Sequence, residues 1–179
     1  YANHEGFAEN AKITARGAIG QSPQELVFAL PATPGLHSLK LDVADRPGFM
    51  HLYAIQLQLA NGSIAWQWSA NDADAARISA LPHHQILWKH PGNAVSPASL
   101  MLLSGDDPWL QWRSGHELAE GSDLAGATLH VTLGWPMSAD YVELSATMED
   151  TVRSLREDKQ ALTDLKGNLE HKINYQQEQ

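Results

Sequence analysis

The sequence predicts a mainly β fold: an antiparallel β-sandwich, jelly-roll-like, over residues 1–136, followed by a long C-terminal α-helix or coiled coil over residues 138–179. Three observations carry this. Apolar residues recur at every second position from Gln24 to Trp135, turn-forming residues separate the short runs, and after Pro136 the period lengthens to that of a helix. With 179 residues, 43% of them hydrophobic, the chain is long enough for one ordinary core and a further element.

The strands follow in order. Leu26 to Leu30 is the first candidate. In HSLKLDV, Leu39, Leu41 and Val43 alternate with Ser38, Lys40 and Asp42, the pattern of a strand with one buried and one wet face. LYAIQLQLA places Tyr53, Ile55, Leu57 and Leu59 on one face. Asn61-Gly62 then offers the positive-φ pair of a tight hairpin, and SIAWQWS returns with Ile64, Trp66 and Trp68 aligned. Ile86 to Lys89, Leu100 to Leu103, Leu110 to Arg113 and Thr128 to Trp135 complete the set. In the last, Leu129, Val131, Leu133 and Trp135 share a face.

Beyond Pro136, Ser138 is placed to cap a helix whose first turn carries Asp140 and Glu143. Counting sevens from Tyr141 puts Met148, Leu155, Leu162 and Leu169 at one seam position, and Leu144, Thr151, Asp158, Leu165 and Lys172 at the other. A straight helical stripe through Leu144, Met148, Val152, Leu155, Leu162, Leu165, Leu169 and Ile173 fits equally well. A helix of about 40 residues runs roughly 60 Å, longer than a domain of this size, so its apolar face is expected to meet another copy of itself. Asp158 and Lys172 weaken the seam, which predicts a parallel dimer or trimer of moderate affinity.

Composition narrows the function classes. Twelve Lys and Arg against 21 Asp and Glu give a formal charge of −9, which repels nucleic-acid phosphates and anionic lipid heads. No apolar run approaches the roughly 20 residues of a membrane helix. The absence of cysteine removes disulfides, thiolate metal sites and a cysteine nucleophile, and fits a reducing compartment. The start at Tyr1, with no leader, reads as a piece of a larger polypeptide.

No catalytic residue is named by the sequence. There is no GxSxG and no phosphate-cradling glycine loop. In HELAE the position one turn after His116 is Glu120, so two histidines cannot meet one zinc ion. His83 and His84 point to opposite faces of an extended chain and have no spaced partner for a metal. In SGDDPWLQW, Gly105, Asp106, Asp107 and Pro108 make a turn between the strands at Leu103 and Leu110. Asp72, Asp74, Asp106 and Asp107 are the oxygen ligands a calcium ion at a sandwich edge would use. Of the six tryptophans, Trp66 and Trp68 share a core face, whereas Trp88, Trp109 and Trp112 lie near strand ends, where an exposed indole stacks on a sugar ring with Asp106 as acceptor.

GFAENAKITARG, FALPATPGLHSLKLDVADRPGFMHLYAIQL and LLSGDDPWLQW together carry a resemblance. The chain resembles the non-catalytic β-sandwich and coiled-coil region of large bacterial glycosyltransferases and glycosyltransferase-methyltransferase fusions that build surface polysaccharides such as O-antigen. The matching residues are Gly6, Phe7 and Glu9; Leu39, Leu41, Asp42, Arg46, Pro47 and Gly48; and Gly105, Asp106, Asp107 and Pro108. They span Gly6 to Trp135 in order, and most are turn residues. Two departures stand out. The family has an aromatic-rich strand just ahead of Gly-Phe-x-Glu, so with Tyr1 as the first residue one edge strand is expected to be cut off or incomplete, and no transferase or methyltransferase motif lies in these residues.

The resemblance implies a non-catalytic interaction and spacing segment of a lipopolysaccharide-building enzyme, joined to the rest of that enzyme and oligomerised by its helix. It implies a place in the cytoplasm, or at the inner face of the bacterial inner membrane. The alternative is a carbohydrate-binding module that holds the growing glycan, to which six tryptophans in an acidic sandwich are suited.

Overall fold

The structure, a computed structural model, describes residues 1–3, 6–7, 11–71, 75–90 and 98–177. In chain order its strands are β1 (Ala2–Asn3), β2 (Gly6–Phe7), β3 (Gln24–Ala29), β4 (Ser38–Asp42), β5 (Gly48–Gln58), β6 (Ile64–Ser69), β7 (His83–His84), β8 (Ile86–His90), β9 (Ser99–Leu103), β10 (Trp109–Arg113) and β11 (Thr128–Leu133). A 3-10 helix, Ala75–Ala80, follows β6, and α1 (Ala139–Gln177) follows β11. The chain divides into two compact units, Tyr1–Ser138 and Ala139–Gln179.

The first unit is two antiparallel sheets. One runs β2-β1-β4-β10-β7, the other β3-β11-β5-β9-β8 with β6 also on β5. β5 spans 11 residues, enough to serve two neighbours on one side: β9 along Gly48 to Leu52 and β6 along Ala54 to Gln58. β11 takes its other side. Period-two alternation sends Leu39 and Leu41 of β4 and Leu110 and Trp112 of β10 inward from the first sheet. From the second come Met50, Leu52, Ile55, Leu57, Met101, Leu103, Leu129 and Val131, all in one buried cluster with the first group. Trp112, fully buried, meets Trp66 of the opposite sheet edge to face, with ring centroids 5.4 Å apart and planes at 71°.

Bulges shift the phase of two expected faces. Between Leu52 and Ala54 the pairing with β11 skips one residue, so Tyr53 leaves the core face and its hydroxyl meets Ser22 Oγ at 2.9 Å. A second shift pairs Leu57 with Trp66 but Gln58 with Ile64, which turns Ile64 outward and leaves it 43% exposed. The hairpin between them also differs from the expected two-residue turn. Gly62 N donates to Leu59 O at 2.9 Å and Leu59 N to Ser63 O at 2.8 Å, a three-residue loop in which only Gly62 takes a positive φ, 85°. Asn61 contributes its side chain instead, accepting from Ser63 N at 2.9 Å. β11 ends at Leu133, two residues before Trp135, because Met137 then bridges to Phe49. That approach explains the glycine of Arg46-Pro47-Gly48: Gly48 has φ 151°, and a Cβ there would lie 2.5 Å from Met137 O.

β9 is apolar on both faces, a pattern of strands covered on both sides. Met101 and Leu103 face the core, while Leu100 and Leu102 share the outer face with Phe49 and with Leu87, which is 54% exposed. Across from Leu100, burial holds the His51 imidazole below its ordinary pKa.

Asp123 ties two loops together. Its carboxylate accepts from Ala125 N at 3.0 Å, Leu36 N at 3.2 Å and Gly35 N at 3.3 Å. These amides, Ala125 first, hold the carboxyl below its ordinary pKa of 3.8.

In the second unit, α1 spans 39 residues, with Ser138 immediately before it and Asp140 in its first turn. Met148, Leu155, Leu162 and Leu165 are between 55% and 66% exposed. The side chains of Leu144 and Leu169 lie outside the described residues.

Two outcomes are expected. Trp112→Ala costs about 3–5 kcal/mol, read as a lower denaturant midpoint. Asp123→Ala lowers the melting temperature at neutral pH. A depressed carboxyl stabilises above its unfolded pKa and loses that contribution as pH falls through the folded value. The melting deficit therefore shrinks below 3.8, and an equal deficit in acid contradicts this role.

Candidate functional site

The alternation that buries Leu110 and Trp112 turns Trp109, Gln111 and Arg113 to the outer face of the first sheet. On one side β4 contributes Asp42 directly opposite Trp109, and Lys40 opposite Gln111. On the other, β7 sets His84 opposite Trp109. The His84 ring stacks on the indole with centroids 5.8 Å apart and planes at 28°. From the β4 side the Lys40 ammonium stands 5.5 Å from the indole centroid, a cation-π contact.

Lys40 is held there by two carboxylates, Asp42 at 3.1 Å and Asp107 at 3.4 Å. Partial burial alone would lower its pKa. Hydrogen bonding and charge from Asp42, with Asp107 behind it, outweigh burial and hold the ammonium above its ordinary value.

Asp107 reaches Lys40 because the SGDDP segment is the expected turn, fastened by Gln85. Ser104 N donates to Gln85 O at 2.9 Å and Asp107 N to Gln85 Oε1 at 2.8 Å. Val43 N donates to Pro108 O at 3.0 Å, which joins the turn to the end of β4. Gln85 adopts φ 53°, uncommon for a residue with a side chain, and so turns the chain between β7 and β8.

The sugar-site residues expected from sequence separate here. Trp109 is half-buried on the outer face. Trp112 is a correction: it points the other way and is fully buried, because it lies an odd number of residues from Trp109 in an alternating strand. Trp88 is also a correction, half-buried and packed against the core, and its indole nitrogen and that of Trp112 are buried without a hydrogen-bond partner. Asp106 is exposed and stands at a cleft of about 920 Å³ whose lining includes Leu26, Phe28 and Leu41 from the two sheets with Arg16 and Arg46.

His83 and His84 diverge as an extended pair must. His83 Nδ1 lies 2.7 Å from Leu81 O and its ring meets Trp88 edge to face, while His84 goes to Trp109. For calcium, Asp72 and Asp74 lie outside the described residues, and Asp107 is engaged with Lys40. Among the described residues no three His, Asp or Glu side chains gather as metal ligands. Among them also, no helix is long and apolar enough to cross a membrane.

Sequence reading missed Lys40, His84 and Gln85 as members of this site. The wet-face positions of Lys40 and Asp42 were legible. Their meeting with Trp109 depends on β4 and β10 being neighbours, which no local pattern encodes. Comparison with known proteins finds no matching family model, curated protein or solved structure.

Replacing Gln85 by Ala removes the acceptor for Asp107 N and is expected to cost about 1 kcal/mol. It also loosens Asp107 from Lys40, visible as a change in Trp109 side-chain chemical shifts. Unchanged Trp109 signals contradict the linkage.

Proposed function

We propose that this chain is a non-catalytic interaction and spacing segment of a bacterial enzyme that builds surface polysaccharide of the O-antigen type, with a glycosyltransferase or methyltransferase as parent. The observation that carries the reading is the exposed apolar stripe of α1: Met148, Leu155, Leu162 and Leu165 recur at seam spacing along 39 helical residues. Each fully buried side chain of this kind is worth about 1.5–3 kcal/mol before ordering costs, so a second copy is the natural cover. The helix then acts as a parallel coiled coil of two or three strands.

The two-sheet unit, jelly-roll-like in this reading, offers a docking face. Phe49, Leu87, Leu100 and Leu102 form an outward apolar patch on the second sheet, the kind of surface that marks contact with another domain. The link to polysaccharide synthesis rests on the Gly-Phe-x-Glu, Leu-x-Leu-Asp-x-x-x-Arg-Pro-Gly and Gly-Asp-Asp-Pro series. The corresponding location is the cytoplasm or the inner face of the inner membrane.

A second reading, a carbohydrate-binding module holding the growing glycan, is favoured by the Trp109 face. There an outward indole is joined by Asp42, Asp107 and Gln111, groups that accept from or donate to sugar hydroxyls.

Sedimentation of the whole chain and of a chain ending at Ser138 tests the first reading. The whole chain is expected to be a dimer or trimer at tens of micromolar, and the shorter one a monomer. Replacing Leu155 and Leu162 together by Asp gives the monomer with the strands' melting unchanged. A monomeric wild type overturns self-association, and melting of the strands in the double variant overturns the division into two units.

A further inference from the structure

The Trp109 ring has a neighbour from each side of β10. His84 stacks on it from β7 and Lys40 lies over it from β4, the strands on opposite sides of β10. A pyranose binds an indole by laying its C–H face on the ring, and so competes with these neighbours for the indole. His84 sits on a strand paired with β10 and its ring is stacked on the indole at 28°. Lys40 has a flexible four-carbon stem, and its ammonium is a strongly hydrated charge that gains water when it swings outward.

We infer that Lys40 is a gate on the Trp109 platform, and that the ligand admitted is a neutral hexopyranose chain. This rests on the carbohydrate-binding reading above and names its ligand class. The ammonium leaves the ring, and Asp42 and Asp107 turn from it to accept sugar hydroxyls. Neutral ligands are selected by charge. The Lys40 ammonium is opposed by two carboxylates at 3.1 and 3.4 Å. Arg113 shares the outer face of β10, but Asp106 is adjacent in the turn and the whole chain carries −9, so a uronate or sulfated chain gains no net attraction.

The gate also sets an unusual salt response. Salt screens the exposed pairs that hold Lys40, so affinity for a neutral sugar rises with ionic strength in the wild type. Without the ammonium the response disappears.

Calorimetric titration of the whole chain with mannohexaose, maltohexaose, cellohexaose and hexagalacturonate tests this, using wild type, Lys40→Ala, Lys40→Gln and Trp109→Ala, each checked by its melting curve. Lys40→Gln keeps most of the stem, so the test survives a poorly folded Lys40→Ala. Both Lys40 variants are expected to bind a neutral hexaose about two- to fivefold more tightly than wild type, the factor an exposed cation-π contact represents. Trp109→Ala is expected to lose binding, and hexagalacturonate not to bind. Neutral binding that depends on Trp109 but is unchanged or weakened in both Lys40 variants overturns the gate and leaves the carbohydrate-binding reading standing. Equal affinity for hexagalacturonate overturns the ligand class. No binding of any hexaose by wild type or by the Lys40 variants overturns the carbohydrate-binding reading itself.

Discussion

The burial of Trp112 between the two sheets is the constraint on which the rest of the first unit depends. Its ring meets Trp66 across the core at 5.4 Å, and with Leu110 it fixes which face of β10 points inward. A slip of one residue would put Trp109 and Gln111 into the core and Leu110 and Trp112 into water, so the register is strongly specified. That same commitment turns Trp109 outward. Core packing and the candidate site are therefore two faces of one five-residue strand.

Most of the fold was legible as hydrophobic period. Strands β3 to β6 and β8 to β11 fall where alternation or short apolar runs place them, and the change to a helix falls at Pro136. Four features were not legible, each for a physical reason. β1, β2 and β7 are two-residue strands, too short to show a period. The bulge at Tyr53 lies inside an unbroken alternation of the β5 sequence and is imposed by the pairing with β11. Asn61-Gly62 has the composition of a two-residue turn, but Asn61 uses its side chain to hold Ser63 and leaves the positive φ to Gly62. Trp88, Trp109 and Trp112 look alike in sequence, yet differ in facing because of parity and strand order.

The outer surfaces of the two sheets are chemically unlike. The first carries a charged and aromatic ladder, His84, Trp109, Lys40 and Asp42. The second carries Phe49, Leu87, Leu100 and Leu102, with His51 desolvated beside them, which suits an apolar partner. In the function proposed above, the first face serves a glycan, the second a protein partner, and the stripe of the helix its own copies.

Hydrogen exchange followed as a function of protein concentration tests the central division most directly. Strand amides of β5, β9, β10 and β11 owe their protection to a core within one chain, so their exchange should not change with dilution. In the proposed assembly the amides of α1 owe theirs to a second copy, so protection along residues 150–167 should rise with concentration in the micromolar range. Helix protection that is high and independent of concentration would contradict the account, because the stripe would then be covered within a single chain.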